Sequence, residues 1–212
     1  MKRILVIERE YGAGGSVIAA KAAKRLGWKL FDHALTEEVA KLARARPEVC
    51  AKCEERLDSW AYRLSKIFFH GSHERHARLE DSGILDADRL VCLTETVIKE
   101  VANAGQCVIV GRGAAWFLRE RQDTYCVFLY ASRELKFRRE VAEGKSEKEA
   151  LDLVDTIDLD RAEFVKHYFG AEWPNRHLFH AMLNTAMGDD ATVDTILELM
   201  EAASKREAVG KS

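Results

Sequence analysis

Gly12-Ala13-Gly14-Gly15-Ser16 stands between a β-branched and leucine run, Ile4 to Ile7, and a stretch with helical spacing. A glycine turn in that setting is a natural anion site. Free backbone N–H groups converge there and the helix dipole adds partial positive charge. Alone, such a cluster is as readily a tight turn; the strand before it and the helix after it favour phosphate. Arg112 sits between two glycines after the apolar run Cys107 to Val110, where a purely structural arginine is hard to motivate. Asp32 ends a short apolar patch, where a buried acid needs a partner, although it also suits a helix N-cap near Thr36. Ser16 reads as a helix cap whose backbone N–H could also meet an anion. Arg138 and Arg139 read either as anion ligands or as a solvated helix face. Lys136, Lys145, Lys148 and Lys166 read as surface.

A competing constellation joins Cys50-x-x-Cys53 to His70, His73 and His76. Thiolates and imidazoles bind zinc, but the separation of Cys53 from His70 matches no established finger. On a helix the two cysteines would simply be neighbours three apart. No metal is expected there, and no thioredoxin-like arrangement supports a redox pair. Trp60, Phe68 and Phe69 read as core or cover.

The elements that must position these residues alternate. Ile4–Ile7 is a strand, and Ser16 to Leu26 a helix stopped by Gly27. Trp28 to Phe31 is a short apolar patch, and Thr36 to Ala45 a helix broken at Arg46-Pro47. Residues 48–86 are opaque, with a polar loop at their end. Helix is expected over about Asp88 to Ala104, buried strands at Cys107–Val110 and Tyr125–Tyr130, and helix over Ala114 to Arg121. Ser132 caps a basic helix, Arg133 to Glu143, and a charged segment runs from Ser146 to His167. A last strand, Ala181 to Asn184, precedes a last helix, Val193 to Arg206. Short apolar runs alternating with helices imply right-handed crossovers and a parallel sheet covered on both faces.

The 212 residues carry 33 basic and 35 acidic side chains, a net charge of −2. No overall field recruits nucleic acid or anionic membrane. Apolar runs stop well short of the ~18 residues of a membrane span, so a cytoplasmic protein is expected. The five cysteines, with Cys92, Cys107 and Cys126 in apolar runs, read as buried thiols rather than a disulfide framework.

IEREYGAGGSVIAAKAAKRLGWKLFDHALTEEVA resembles the opening of the cytidylate kinase-like family, relatives of bacterial cytidylate kinase among the nucleoside monophosphate kinases. The likeness resumes at IKEVANAG and continues through CVIVGRGAAWFLRER, VFLYASRELKFRRE, TIDLDRAEFVKHYFGAEW and MLNTAMGDDATVDTILELM, sparing about residues 46–86. The resemblance implies a P-loop NTPase-type three-layer α/β/α fold with a five-stranded parallel sheet. It implies one domain over 1–212, with a monophosphate-binding arm over about 36–86 and a lid over about 140–175. It implies ATP and Mg2+ as cofactors, small nucleotides as partners, and phosphoryl transfer to CMP or dCMP. Arg9, Gly12, Ala13, Gly14, Gly15, Ser16 and Val17 would form the ATP phosphate site, with Ser16 on magnesium. Asp32 and Arg112 would hold the acceptor, and Arg112, Arg138, Arg139 and Arg161 would be catalytic.

Two departures mark the site. An ordinary phosphate loop reads GxxxxGK[ST], its lysine neutralising the β- and γ-phosphates. Aligned on Ser16, this chain has Gly15 at the lysine and Arg9 at the first glycine, while Val110 stands where cytidylate kinase carries an acid. A cation must come from Arg9, Arg138, Arg139 or Arg161, or the chain is a nucleotide-binding regulatory module with a degenerate loop.

Overall fold

The apolar runs of the sequence form neighbouring strands: β1 (Ile4–Arg9), β3 (Cys107–Val110) and β4 (Thr124–Tyr130). The computed structural model of the chain describes residues 1–32, Val39 and residues 87–209. Around these strands run α1 (Gly15–Leu26), β2 (Lys29–Phe31), α2 (Ala87–Ala104), α3 (Ala114–Phe117), α4 (Arg133–Ala142), α5 (Glu147–Phe169), β5 (Ala181–Asn184), a 3-10 turn (Thr185–Met187) and α6 (Asp189–Val209). All strand pairs are parallel, in the order β2-β3-β1-β4-β5. Ile4 lies level with both Cys107 and Thr124.

An uninterrupted apolar run is what a strand needs when helices cover both of its faces. Alternation then divides its side chains between two cores. Ile4 and Val6, with Phe31 and Ile109, pack against Leu93 and Val97 of α2 and Phe164 of α5. Leu5 and Ile7, with Val108, Val110, Val127 and Leu129, pack against Ile18 of α1 and Val193 of α6. This is a three-layer α/β/α arrangement. Its edge strands β2 and β5 have only three and four residues, which limits exposed pairing edge.

One expectation needs correction. The helix expected over Ala114–Arg121 is one turn, ending at Phe117, because the chain turns away toward β4. The charged segment 146–167, assigned no element from its spacing, lies in a helix. Ser146 caps α5 by accepting from the Glu149 N–H, and Gly170 ends it in the left-handed region. Ala150, Val154, Ile157, Phe164 and Val165 bury one face of it. The helix expected over 36–45, the 36–86 arm, and Cys50, Cys53, His70, His73 and His76 lie outside the described residues. Among the described residues no helix is long and apolar enough to cross a membrane, and no cluster of three or more His, Cys, Asp or Glu is placed to hold a metal.

Candidate active site

The sheet order reverses direction beside β1. The α1 crossover leads toward β2 on one side, and β4 and β5 lie on the other. The crevice at the carboxyl ends of the strands at such a reversal is where α/β sheets take ligands. Residues 10–14 join β1 to α1 at that end of the sheet. Gly12 and Gly14 have φ of 71° and 78°, a left-handed pair that folds the chain directly into α1. Gly14 itself is the N-cap of α1, with no side-chain cap and no acid in the first turn. Ser16 is therefore exposed inside the helix and is not its cap. Ala13 is fully buried, and the Val17 side chain is exposed.

Charged groups of α4 and α5 hold this loop. Lys136 packs on Gly12, where an added Cβ would lie 3.0 Å from the Lys136 Cβ. Its Nζ donates to Glu10 Oε2 at 3.1 Å and to Asp158 Oδ2 at 3.3 Å. The Tyr11 N–H donates to Asp158 Oδ1 at 2.9 Å, and its hydroxyl to Glu140 Oε2 at 2.6 Å. Burial and the Glu140 carboxylate push the Tyr11 phenol well above its ordinary range. Lys145 reaches the same Glu140 oxygen at 2.6 Å. Lys136 and Lys145, read as surface from the sequence, are thus buried, while Lys148 and Lys166 are exposed. A lysine paired to carboxylates under a loop is indistinguishable by type from one on a solvated helix.

The arginines separate sharply. Arg9 leaves the end of β1 and lies across Gly15. An added Gly15 Cβ would sit 2.7 Å from the Arg9 Cγ, and Arg9 Nη1 abuts Gly111. Arg161, on the buried face of α5, donates from Nη1 to the Arg9 carbonyl and to Asp158 Oδ1, both at 2.9 Å. Arg139 donates to Thr185 Oγ1 at 2.7 Å and to the Thr185 carbonyl at 3.2 Å. Its Nη1 lies 3.2 Å from where a Gly14 Cβ would stand. Arg138 points to the solvent side of the same helix and pairs with Glu134, its side chain 65% exposed. The structure does not bring Arg138 to the site.

Arg112 occupies an unusual turn. Gly111, Arg112 and Gly113 all have positive φ, 65°, 59° and 74°. Left-handed geometry costs a non-glycine residue roughly 1–2 kcal/mol, and such strain concentrates at ligand sites. Burial first, then the neighbouring Arg9 charge, lowers the Arg112 guanidinium from 12.5 to about 10, while Asp32 opposes the shift. Burial and Arg9 likewise bring Arg161 to about 10. Asp32 is buried, so the acid read at the end of β2 faces the arginine read at the end of β3. Three guanidiniums crowd together, a field that calls for a polyanion.

Some residues of the site went unread in the sequence. Glu8, beside Arg9, is buried, and its Oε1 has no hydrogen-bond partner among the described residues. Burial raises its carboxyl above 4.5 against the pull of Arg9 and Arg161. An acid directly after the apolar run Ile4–Ile7 was the available signal. Glu10, Tyr11, Asp158, Glu140 and Thr185 are others; Asp158 and Arg161 continue the buried stripe of α5 through Val154 and Ile157. Cys107 and Cys126 are buried free thiols, pushed up by burial to about 11 and 12, and thus poor nucleophiles. Cys92 is instead disulfide-bonded; an apolar run accommodates a disulfide as well as a thiol.

Comparison with known proteins bears on the family and the fold. The sequence is 31% identical over 96 residues to a cytidylate kinase of Pyrobaculum neutrophilum, a match covering 44% of this chain and 51%, about half, of that relative. An uncharacterized protein from Eubacterium ventriosum has a crystal structure similar at a TM-score of 0.67, with 22% identity over 95% of this chain and 99% of that one. A shikimate kinase from Bacteroides thetaiotaomicron follows at 0.52, with 17% identity over 93% and 98% of the two chains. These likenesses establish the fold, a P-loop kinase-type sandwich. The model of the cytidylate kinase-like family matches residues 4–187, and the chain belongs to that family.

Proposed function

We propose that the chain is a nucleoside monophosphate kinase that transfers the γ-phosphoryl group of ATP to a pyrimidine monophosphate, CMP or dCMP. The observation that carries this is the gathering of Arg9, Arg139 and Arg161 about one uncapped helix start at the reversal of the sheet, with Arg112 close enough to Arg9 to feel its charge. The curated relative's name supplies the acceptor class.

The backbone of Gly12 to Val17 would receive the ATP phosphates. Arg139, held by Thr185, would lie along the same phosphates, and Arg112, opposed by Asp32, would orient the acceptor phosphate. An acceptor oxygen attacks the γ-phosphorus in line, one O–P bond forms, and the bond to the β-bridging oxygen breaks. ADP leaves with the electron pair. The residues position the reactants and neutralise charge, with no covalent step on the protein. Magnesium fits this donor set, because it keeps several waters and takes phosphate oxygens with one or two protein ligands. The exposed Ser16 hydroxyl would hold it, and when bound it neutralises charge between the β- and γ-phosphates. Helices α4 and α5, already bonded to the loop through Glu140 and Asp158, would serve as the lid that excludes water.

A second reading, a regulatory nucleotide-binding module, draws on Gly15 at the lysine position and on Val110, which is fully buried in the core. A coupled ADP-release assay with Mg-ATP separates the two, run against CMP, dCMP, UMP, AMP and GMP with a no-acceptor control. ADP formed with CMP or dCMP alone is the expected result. Silence across the panel, from protein that binds ATP, would favour the regulatory module.

A further inference from the structure

We infer that Arg9 and Gly15 are an exchanged pair, in which Arg9 supplies from the first-glycine position the cation that an ordinary phosphate loop places at position 15. Gly15 is glycine because the Arg9 stem fills the space its side chain would take. The inference rests on the phosphate-site reading above and names how that site replaces its missing lysine.

The packing is specific. A Cβ on Gly15 would stand 2.7 Å from the Arg9 Cγ, 3.1 Å from its Cβ and 3.3 Å from its Cδ. These atoms lie near the backbone, so they cannot swing aside as a side-chain tip can. Gly15 needs no unusual backbone, since its φ is not in the left-handed region; the demand for glycine there is one of space. At its far end Arg9 abuts Gly111, whose own Cβ would lie 3.1 Å from the Arg9 Cζ. The side chain therefore spans from the last glycine of the phosphate loop to the first glycine of the Arg112 turn.

Its guanidinium makes no hydrogen bond or ion pair with any described residue. Its carbonyl, by contrast, accepts from Arg161. Arg112 and Arg161 both feel its charge as repulsion, and the acid close enough to offset it, Glu8, is itself held toward neutrality by burial. A half-buried guanidinium among cations, with its donors unspent, suits a ligand carrying several negative charges. The chemical class is a polyphosphate, and Arg9 stands between the loop and the turn proposed to hold the acceptor.

The test is a double-mutant cycle in the full chain. The variants are Arg9→Gly, Gly15→Lys and the double variant, which regenerates GxxxxGKS over residues 9–16. Binding of ATP and of inorganic tripolyphosphate is measured by calorimetry, and Tm by thermal melt. Arg9→Gly is expected to weaken both ligands at least tenfold while remaining folded. Gly15→Lys alone is expected to lower Tm and binding, and the double variant to return binding to within a few-fold of wild type. Should Gly15→Lys not fold, Gly15→Ala serves, lowering Tm in the wild-type background and raising it beside Arg9→Gly. Additive effects throughout, or a Gly15→Lys variant as stable and tight-binding as wild type, would overturn the exchange and leave the phosphate site standing. A wild-type chain that binds neither ATP nor tripolyphosphate would overturn the phosphate-site reading itself, and the cation role with it.

Discussion

Replacing Arg112 separates two quantities that usually fall together. Its guanidinium is lowered from 12.5 to about 10 in the folded chain, equivalent to ~3 kcal/mol against the charged form. Removing the charge relieves that cost but strands the buried Asp32, at roughly 1–3 kcal/mol, so the two nearly cancel. What remains is the backbone. With φ of 59°, Arg112→Ala keeps a strained left-handed residue, whereas Arg112→Gly releases about 1 kcal/mol. For a chain of this size that is a Tm difference of about 2–4 °C in favour of glycine. Both variants lose the side chain, so both should lose at least tenfold in kcat/KM for phosphoryl transfer, ~1.4 kcal/mol or more. The assays are a thermal melt of the two variants side by side and steady-state ADP release. An alanine variant as stable as the glycine variant would refute the strain argument. Either variant within twofold of wild-type kcat/KM would remove Arg112 from the site.

The neighbouring arginines of α4 give a second contrast. Arg139→Ala should lower kcat/KM at least tenfold, whereas Arg138→Ala, on the solvent side, should leave it within about twofold; equal losses would contradict the geometry. Glu8 gives a pH dependence with a definite sign. Its carboxyl is raised above 4.5, so the native state holds its proton longer than the unfolded state, and stability falls as pH rises through the raised value. Glu8→Gln should therefore match wild type near pH 4 and exceed it at pH 7 in urea denaturation. A gap independent of pH would show that burial of Glu8 is not what matters.

Much of the fold was legible because its signals are local. The runs at Ile4, Cys107, Tyr125 and Ala181 became strands since only residues covered on both faces, or at a short edge, can be that apolar over so few positions. Gly12, Gly14, Arg112 and Asp32 were readable as punctuation after those strands. The roles of α4 were not. Its buried positions are Lys136 and Glu140, a polar pair one turn apart, so no apolar stripe fixes the phase of the helix. Without that phase Arg138 and Arg139 are equivalent on paper, although Arg139 lies within a turn of the buried pair and Arg138 lies opposite. In α5 the phase was available: Val154, Ile157, Phe164 and Val165 define a stripe, and Arg161 interrupts it. The exchange of Arg9 for lysine depends on contact across the loop, which one-dimensional spacing does not encode.

Helix α5 touches both halves of the site. Asp158 and Arg161 grip the phosphate loop, while Phe169 stacks on Trp116 with ring centroids 5.3 Å apart and stands 3.2 Å from a Gly113 Cβ position. Between Arg161 and Phe169 the helix advances about 12 Å. Under the proposed function it would act as a gauge rod between the two ends of the reaction. A displacement of the arginine turn would be relayed lengthwise to the loop, and the spacing between donor and acceptor would be set by the pitch of one element. A helix shortened or kinked between those residues would mistune both ends together, even with every ligand-facing side chain intact.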